Sequence, residues 1–125
     1  MEIKNILAVY AKPLNREQKS AFNLVKRVLN KASVRYTLLE RPLLNPNAFK
    51  GKNLIIAIGG DGTFLRASHF IKDNTPLLGV NSDTKSKEGF YMACNRFDFE
   101  KKFNEIRKGK FKIRKLSQNR QNAFN

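Results

Sequence analysis

The stretch that decides the fold is Leu54-Ile55-Ile56-Ala57-Ile58, followed at once by Gly59-Gly60-Asp61-Gly62-Thr63. The apolar run has the length and the β-branched content of a buried strand. The segment from Phe64 to about Asp73 is predicted to be a helix, so the glycines stand on a tight turn between strand and helix. A helix start offers backbone N–H groups and a favourable dipole, and both attract phosphate. The turn is therefore predicted to bind a phosphate group.

The rest of the chain alternates predicted strands with predicted helices. Strands are predicted at residues 6–10, 34–39, 76–80 and 111–115, and Asn15 and Asp98 are predicted to cap helices that run to about residues 31 and 108. This alternation predicts an α/β fold, a Rossmann-like parallel sheet with flanking helices. Ligands of such sheets bind outside the carboxyl ends of the strands. The glycine turn and the polar loop at residues 81–88 are therefore expected to meet in one site.

Composition limits the classes of function. The chain has 125 residues, enough for one domain, and its 25 Lys and Arg against 10 Asp and Glu give a formal charge of +15. Such a surface attracts anions, but the basic residues are spread along the chain without an RNA-binding or zinc-finger pattern, so nucleic acid is not expected as a partner. Cys94 is the only cysteine, which fits a reducing cytoplasm. No apolar stretch approaches the roughly 18 residues that span a bilayer, so no membrane segment is expected.

The acid in the glycine turn, Asp61, has two interpretations. It either caps the following helix or acts as a general base that accepts the proton of an attacking hydroxyl during phosphoryl transfer. Arg66, one turn into the helix, either contacts a phosphate or ribose or is a solvated arginine. The Walker-type and G-x-G-x-x-G patterns are absent, and a lone histidine and a lone cysteine predict no metal-ligating set.

Two segments together resemble the NAD kinases. The run Gly59-Gly60-Asp61-Gly62-Thr63 after an apolar strand resembles the signature of that family, which diacylglycerol-type lipid kinases share and phosphofructokinases carry as a close variant. The segment Leu78-Gly79-Val80-Asn81, followed by Gly89-Phe90-Tyr91, resembles the NAD-kinase loop after the next strand. Lipid kinases would show a Pro-x-Gly-Thr-x-Asn-Asp run there. The longer loop, with Asn81, Asp83, Glu88 and Gly89, is most similar to the mitochondrial-type branch.

The resemblance implies a reaction. A phosphoryl group passes from ATP or polyphosphate, with Mg²⁺ or another divalent cation, to the 2′-hydroxyl of the adenosine ribose of NAD. Asp61 matches the proton acceptor of the family. The positions that match nucleotide-binding residues are Gly59, Gly60, Gly62, Thr63, Arg66, Asn81 and Phe90. Nucleotides are the implied partners, and a homo-oligomer is implied if the full family architecture is present.

The domain organisation expected from the sequence departs from the family. Residues 1–116 are expected to form the nucleotide-binding domain, and the polar residues 117–125 an irregular tail. NAD kinases have a second, β-rich domain that this chain is expected to lack, so a truncated half with little activity alone is expected. Two alternatives stay open: a non-catalytic nucleotide- or polyphosphate-binding module with Asp61 as a cap, and a relative of the diacylglycerol-type lipid kinases.

Overall fold

The computed structural model describes residues 2–84, 91–115 and 122–124. Its elements are β1 (Asn5–Tyr10), α1 (Arg16–Lys31), β2 (Arg35–Glu40), β3 (Leu54–Gly59), α2 (Asp61–Phe70), β4 (Leu77–Asn81), β5 (Cys94–Asn95), α3 (Phe99–Arg107), β6 (Ile113–Lys115) and β7 (Asn122–Phe124). Two short 3₁₀ turns, Arg41–Leu43 and Pro46–Phe49, connect β2 to β3. None of the described helices is long and apolar enough to cross a membrane.

The strands form one sheet in the order β2-β1-β3-β4-β7-β6, and β5 pairs with the end of β4. All pairs are parallel except β6 with β7, which is antiparallel. The register of β3 and β4 sets Gly59 opposite Asn81. The predicted parallel sheet with flanking helices is confirmed.

The central strand β3 explains this architecture, because every one of its residues is buried. Ile56 and Ile58 belong to a core cluster that includes residues of α1 and α3, whereas Ile55 and Ala57 belong to a second cluster that includes residues of α2. A parallel strand covered on both faces needs a continuous apolar run rather than alternation. The run at residues 54–58 therefore becomes the middle of a three-layer structure.

The predicted helix ends are mostly confirmed. Asn15 caps α1, because its side-chain oxygen accepts a hydrogen bond from the Gln18 N–H. Gly109 follows α3 with a φ of +78°, the left-handed conformation that commonly ends a helix. The helix predicted at residues 64–73 instead spans Asp61–Phe70, because the glycine turn itself forms its first turn. The Phe64 N–H donates to the Gly60 carbonyl at 3.1 Å and closes that turn.

The expectation of an irregular tail at residues 117–125 is wrong for residues 122–124. These three residues form β7, which pairs with β6 and meets β4 where Ala123 lies opposite Leu77. Ala123 and Phe124 are fully buried, and the Phe124 ring packs edge-on against Phe111 with ring centroids 5.0 Å apart. Two apolar residues at the end of a polar stretch thus extend the sheet beyond the predicted boundary at residue 116.

Replacement of a buried tail residue tests this correction. We expect Phe124→Ala to lower the free energy of unfolding by about 3–5 kcal/mol, because it removes a fully buried aromatic ring. Phe97→Ala is the matched control, since Phe97 is 74% exposed. It loses only a stacking contact with Arg96, which is worth about 1 kcal/mol at an exposed site. Urea unfolding followed by circular dichroism measures both, and equal losses would contradict the placement of β7 in the core.

Candidate functional site

A cleft of about 310 Å³ lies at the carboxyl ends of the parallel strands. Four strand ends and one helix supply its walls: the loop after β1 with Ala11, Lys12 and Leu14, Gln18 of α1, Arg41 after β2, the turn at residues 59–63, and Ser82 and Asp83 after β4. The glycine turn and the loop after β4 therefore meet in one site. This is the position that the strand-end rule predicts for ligands of such sheets.

The glycine turn is tightly built at its first residue. An added Cβ at Gly59 would lie 2.7 Å from Thr63 Oγ1 and 3.1 Å from Thr63 Cβ, so a larger residue does not fit there. Thr63 is buried, and the Gly59 carbonyl accepts a hydrogen bond from the Ser82 N–H at 3.0 Å. The first N–H groups of a helix have no partner within that helix. The turn thus directs the N-terminal end of α2 into the cleft, and the backbone N–H groups there form what we call the amide end of this helix.

Asp61 does not cap α2. Gly60 occupies the N-cap position and Asp61 is the first helical residue, so the capping interpretation is wrong. The half-buried Asp61 carboxylate accepts a hydrogen bond from the Tyr91 N–H at 2.9 Å. The Tyr91 ring stacks on Phe64 of α2, with centroids 5.2 Å apart and planes inclined by 8°. Tyr91 follows the loop after β4, which we call the second loop (residues 81–88). Through this ring contact and this hydrogen bond, Tyr91 orients the Asp61 carboxylate.

The start of the second loop is held against α1. Asn81 accepts the Asp83 N–H on its side-chain oxygen at 3.1 Å. Asp83 is only 7% exposed, and its carboxylate accepts hydrogen bonds from the Asn15 and Gln18 side chains at 3.4 and 3.2 Å. Thr84 donates its hydroxyl and its N–H to Glu17 at 2.6 and 3.1 Å. The first turn of α1 therefore fixes the cleft wall that follows β4.

Comparison with known families agrees with this geometry. A family model described as the ATP-NAD kinase N-terminal domain matches residues 4–111. The chain belongs to the NAD kinase family. This match confirms the resemblance that the glycine turn and the second loop indicate. The more detailed likeness to the mitochondrial-type branch stays a prediction, because Glu88 and Gly89 lie outside the described residues.

Curated NAD(H) kinases are similar to part of this chain. The probable NADH kinase of Oryza sativa subsp. japonica is 39% identical over 83 residues, which are 66% of this chain and 25% of the rice protein. The NADH kinase of Arabidopsis thaliana is 36% identical over 80 residues, which are 64% of this chain and 25% of that protein. The chain therefore spans about a quarter of the length of these curated relatives.

A solved NAD kinase shares the fold. The crystal structure of an NAD kinase from Archaeoglobus fulgidus in complex with ATP aligns with a TM-score of 0.60 at 21% sequence identity. The alignment covers 86% of this chain and 39% of that one. At this identity the likeness supports the α/β fold, and the roles of single residues rest on the cleft described above.

The structure brings together only part of the predicted set of NAD kinase site residues. Gly59, Gly60, Asp61, Gly62 and Thr63 line the cleft. Asn81 stands beside them through its pairing with Gly59. Arg66 is exposed on α2 and is not among the residues that line the cleft, so the geometry adds no support to its predicted contact. Phe90 lies outside the described residues.

Two cations of the cleft, Lys12 and Arg41, were missed by the sequence reasoning. Both line the cleft, Lys12 from the loop after β1 and Arg41 from the turn that directly follows β2. The signal for them is the rule that ligands bind at the carboxyl ends of parallel strands. Applied to β1 and β2 as well as to β3 and β4, that rule would have selected both residues.

The described residues offer few candidates for a cysteine nucleophile or a metal site. Burial raises the pKa of the Cys94 thiol to about 12, so this thiol stays neutral and unreactive near neutral pH. No group of three His, Cys, Asp or Glu side chains that would hold a metal occurs within residues 2–84, 91–115 and 122–124. The charged side chains of the described residues that line the cleft are those of Lys12, Arg41, Asp61 and Asp83.

The attachment of the second loop to α1 can be tested through the acid that holds it. Hydrogen bonds from the Thr84 hydroxyl and N–H lower the pKa of Glu17. We expect Thr84→Val to raise the Glu17 pKa toward its ordinary value, as measured by NMR titration of the side-chain carboxyl carbons. Because the Glu17 pKa is lowered in the folded state, the stabilisation from this contact is present near neutral pH and is lost as the pH falls through that pKa.

A second threonine provides the reciprocal control. Hydrogen bonds from Thr75 lower the pKa of Asp73, which follows the C-terminal end of α2 and does not line the cleft. Thr75→Val should raise the pKa of Asp73 and leave that of Glu17 low, whereas Thr84→Val should do the reverse. A Glu17 pKa as low in Thr84→Val as in the unaltered chain would show that the Thr84 hydroxyl does not hold the loop to Glu17.

Proposed function

We propose that this chain carries the donor half of an NAD kinase reaction, in which the terminal phosphoryl group of ATP passes to the 2′-hydroxyl of the adenosine ribose of NAD or NADH. The observation that carries the proposal is the position of Asp61. Its carboxylate stands in the cleft at the amide end of α2 and is oriented by the Tyr91 N–H rather than used as a cap. An acid so placed is suited to accept a proton beside a bound phosphate.

The proposed step is a direct displacement at phosphorus. The donor phosphates lie on the glycine turn, where the amide end of α2 and the Lys12 and Arg41 side chains balance their charge. The 2′-hydroxyl gives its proton to the Asp61 carboxylate as its oxygen forms the new bond to the terminal phosphorus. The bond from that phosphorus to the bridging oxygen breaks, and ADP leaves with the bonding electrons.

A divalent cation fits the carboxylates of the cleft. Magnesium is usually held by one or two carboxylates together with substrate phosphates, and the carboxylates of the described residues that line this cleft are those of Asp61 and Asp83. Asp83 is the better candidate for a ligand to the cation, because Asp61 is proposed to accept the proton of the 2′-hydroxyl. Bound with the donor, the cation would offset phosphate charge during transfer.

Several finer features belong to the same proposal. Polyphosphate is a second donor candidate, supported by the +15 formal charge. NADH is included as an acceptor because the rice and Arabidopsis relatives are named as NADH kinases. A cytoplasmic location, small-molecule nucleotides as partners, and a homo-oligomer under the full family architecture complete it. No observation favours the lipid kinase alternative or the non-catalytic module.

Asp61→Asn tests the base. We expect it to lower the rate of NADP or NADPH formation from radiolabelled ATP by roughly 10²–10⁴-fold, the usual contribution of a general base. The amide oxygen of Asn can still accept the Tyr91 N–H, so the free energy of unfolding should change little. Transfer to NAD and to NADH is measured separately, with ATP and with polyphosphate as donors.

Asp98→Asn is the matched control for this experiment. Asp98 also accepts a backbone N–H, that of Asn95 at 2.7 Å, but it lies outside the cleft. It should leave the rate of transfer unchanged. Equal rates in Asp61→Asn and in the unaltered chain would contradict the proposed base, and an unaltered chain that binds no ATP would contradict the proposed donor half.

A further inference from the structure

The guanidinium of Arg41 lies against the first turn of α2. A Cβ added to Gly62 would stand 3.3 Å from Arg41 Nη1 and 3.8 Å from Nη2. Gly62 has an ordinary negative φ, since it is absent from the positive-φ residues of the described chain. Gly62 therefore leaves room for the tip of this guanidinium, against which a Cβ would press.

The backbone fixes where this arginine stands. Arg41 follows β2 directly, and Pro42 after it restricts the chain in the 3₁₀ turn Arg41–Leu43. That turn packs against α2. The exposed Arg41 side chain therefore crosses from the end of β2 to the start of α2, so both ends of this contact lie on regular elements of the fold.

The guanidinium and the amide end of α2 both attract anions, and the Asp61 carboxylate at that helix start offsets part of their charge. The amide end of a helix carries a partial charge of roughly +0.5. The ion pairs recorded among the described residues are Lys4 with Glu2 and Lys31 with Glu100, and neither includes Arg41. No side-chain hydrogen bond of Arg41 is recorded in this part of the chain either. Two positive groups thus converge on one point of the cleft.

A phosphate between them would satisfy both groups. The planar guanidinium presents paired N–H donors that match two oxygens of one phosphate. The N–H groups at the start of α2 supply donors from a second direction. Phosphoryl transfer concentrates charge on the oxygens of the migrating group, where such donors stabilise the transition state most.

We propose that Arg41 binds the terminal phosphates of the nucleoside triphosphate donor opposite the amide end of α2, where Gly62 leaves room for its guanidinium. This inference rests on the proposed function and adds to it the residue that recognises the donor. Recognition at the terminal phosphates means that Arg41 distinguishes a nucleoside triphosphate from a monophosphate.

Calorimetric titration of the chain with ATP and AMP, each with Mg²⁺ at about 0.15 M salt, tests this without need of turnover. Arg41→Ala should weaken ATP binding by roughly 10-fold or more, the value of a hydrogen bond to a charged group, and should leave AMP binding within twofold of the unaltered chain. Arg41→Lys should restore part of the ATP affinity, because it keeps the charge and loses the paired donors.

Arg35→Ala is the matched control, since Arg35 is an exposed arginine at the opposite end of β2 from the cleft. It should bind ATP and AMP like the unaltered chain. Arg41→Ala that binds ATP as tightly as Arg35→Ala would overturn the role of Arg41 and leave the proposed function standing. Equal weakening of ATP and AMP would also overturn it, because the residue would then support the cleft and not the phosphates.

The outcome for the proposed function is read separately. An unaltered chain that binds neither nucleotide would overturn the proposed function itself, together with this inference. If ATP binds to Asp61→Asn as it does to the unaltered chain while transfer is lost, the acid acts on the proton. The arginine then acts on the donor, and the two roles are distinguished by separate measurements.

Discussion

The pairing of β3 with β4 is the constraint on which the site depends. Its parallel register sets Gly59 opposite Asn81, and the Ser82 N–H continues the ladder to the Gly59 carbonyl at 3.0 Å. Both strands therefore end at the same height, and the two loops that follow them leave the sheet side by side. A slip of this ladder along the strand would separate the glycine turn from the loop after β4, because side-chain and loop positions follow register.

Side-chain packing over the paired strands β3 and β4 extends to Asp61, the proposed base. An added Cβ at Gly79 would lie 2.8 Å from Met92 Cε and 3.0 Å from Phe64 Cδ2, so this glycine admits both side chains onto the surface of β4. Phe64 in turn stacks with Tyr91, whose N–H is bonded to Asp61. The orientation of Asp61 thus depends on hydrophobic packing as well as on one hydrogen bond. Gly79 contributes to it by leaving room for the Phe64 ring on which Tyr91 stacks.

The features of the fold that could be predicted from the sequence are those that a few neighbouring residues determine. The buried run of β3, the Asn15 cap and the helix end at Gly109 each follow from a few neighbouring residues. The start of α2 was placed too late because its first turn is made of the glycine motif itself. The strand β7 has no local signal, since Ala123 and Phe124 gain their burial from Leu77 and Phe111, which are distant in sequence.

Arg41 was missed for a related reason. Its approach to Gly62 requires that β2 lie at the sheet edge beside β1, with β3 beyond it. No sequence pattern near residue 41 predicts the strand order β2-β1-β3, because strand order is a property of the whole sheet. The functional importance of an arginine at a strand end is visible only when the neighbouring strand ends are known.

The charge of the cleft separates specific recognition from general attraction. Among the described residues, Lys12 and Arg41 bring two cations to its lining and Asp61 and Asp83 bring two carboxylates, so their charges balance although the whole chain carries +15. A balanced cleft does not trap anions by net charge. Under the proposed function, an anion would be held where cations and helix amides converge, and the surplus positive charge outside the cleft would raise the local concentration of anionic ligands. Under the proposed function, overall charge would govern how fast a nucleotide arrives, and the arrangement of these four side chains would govern where its phosphates bind.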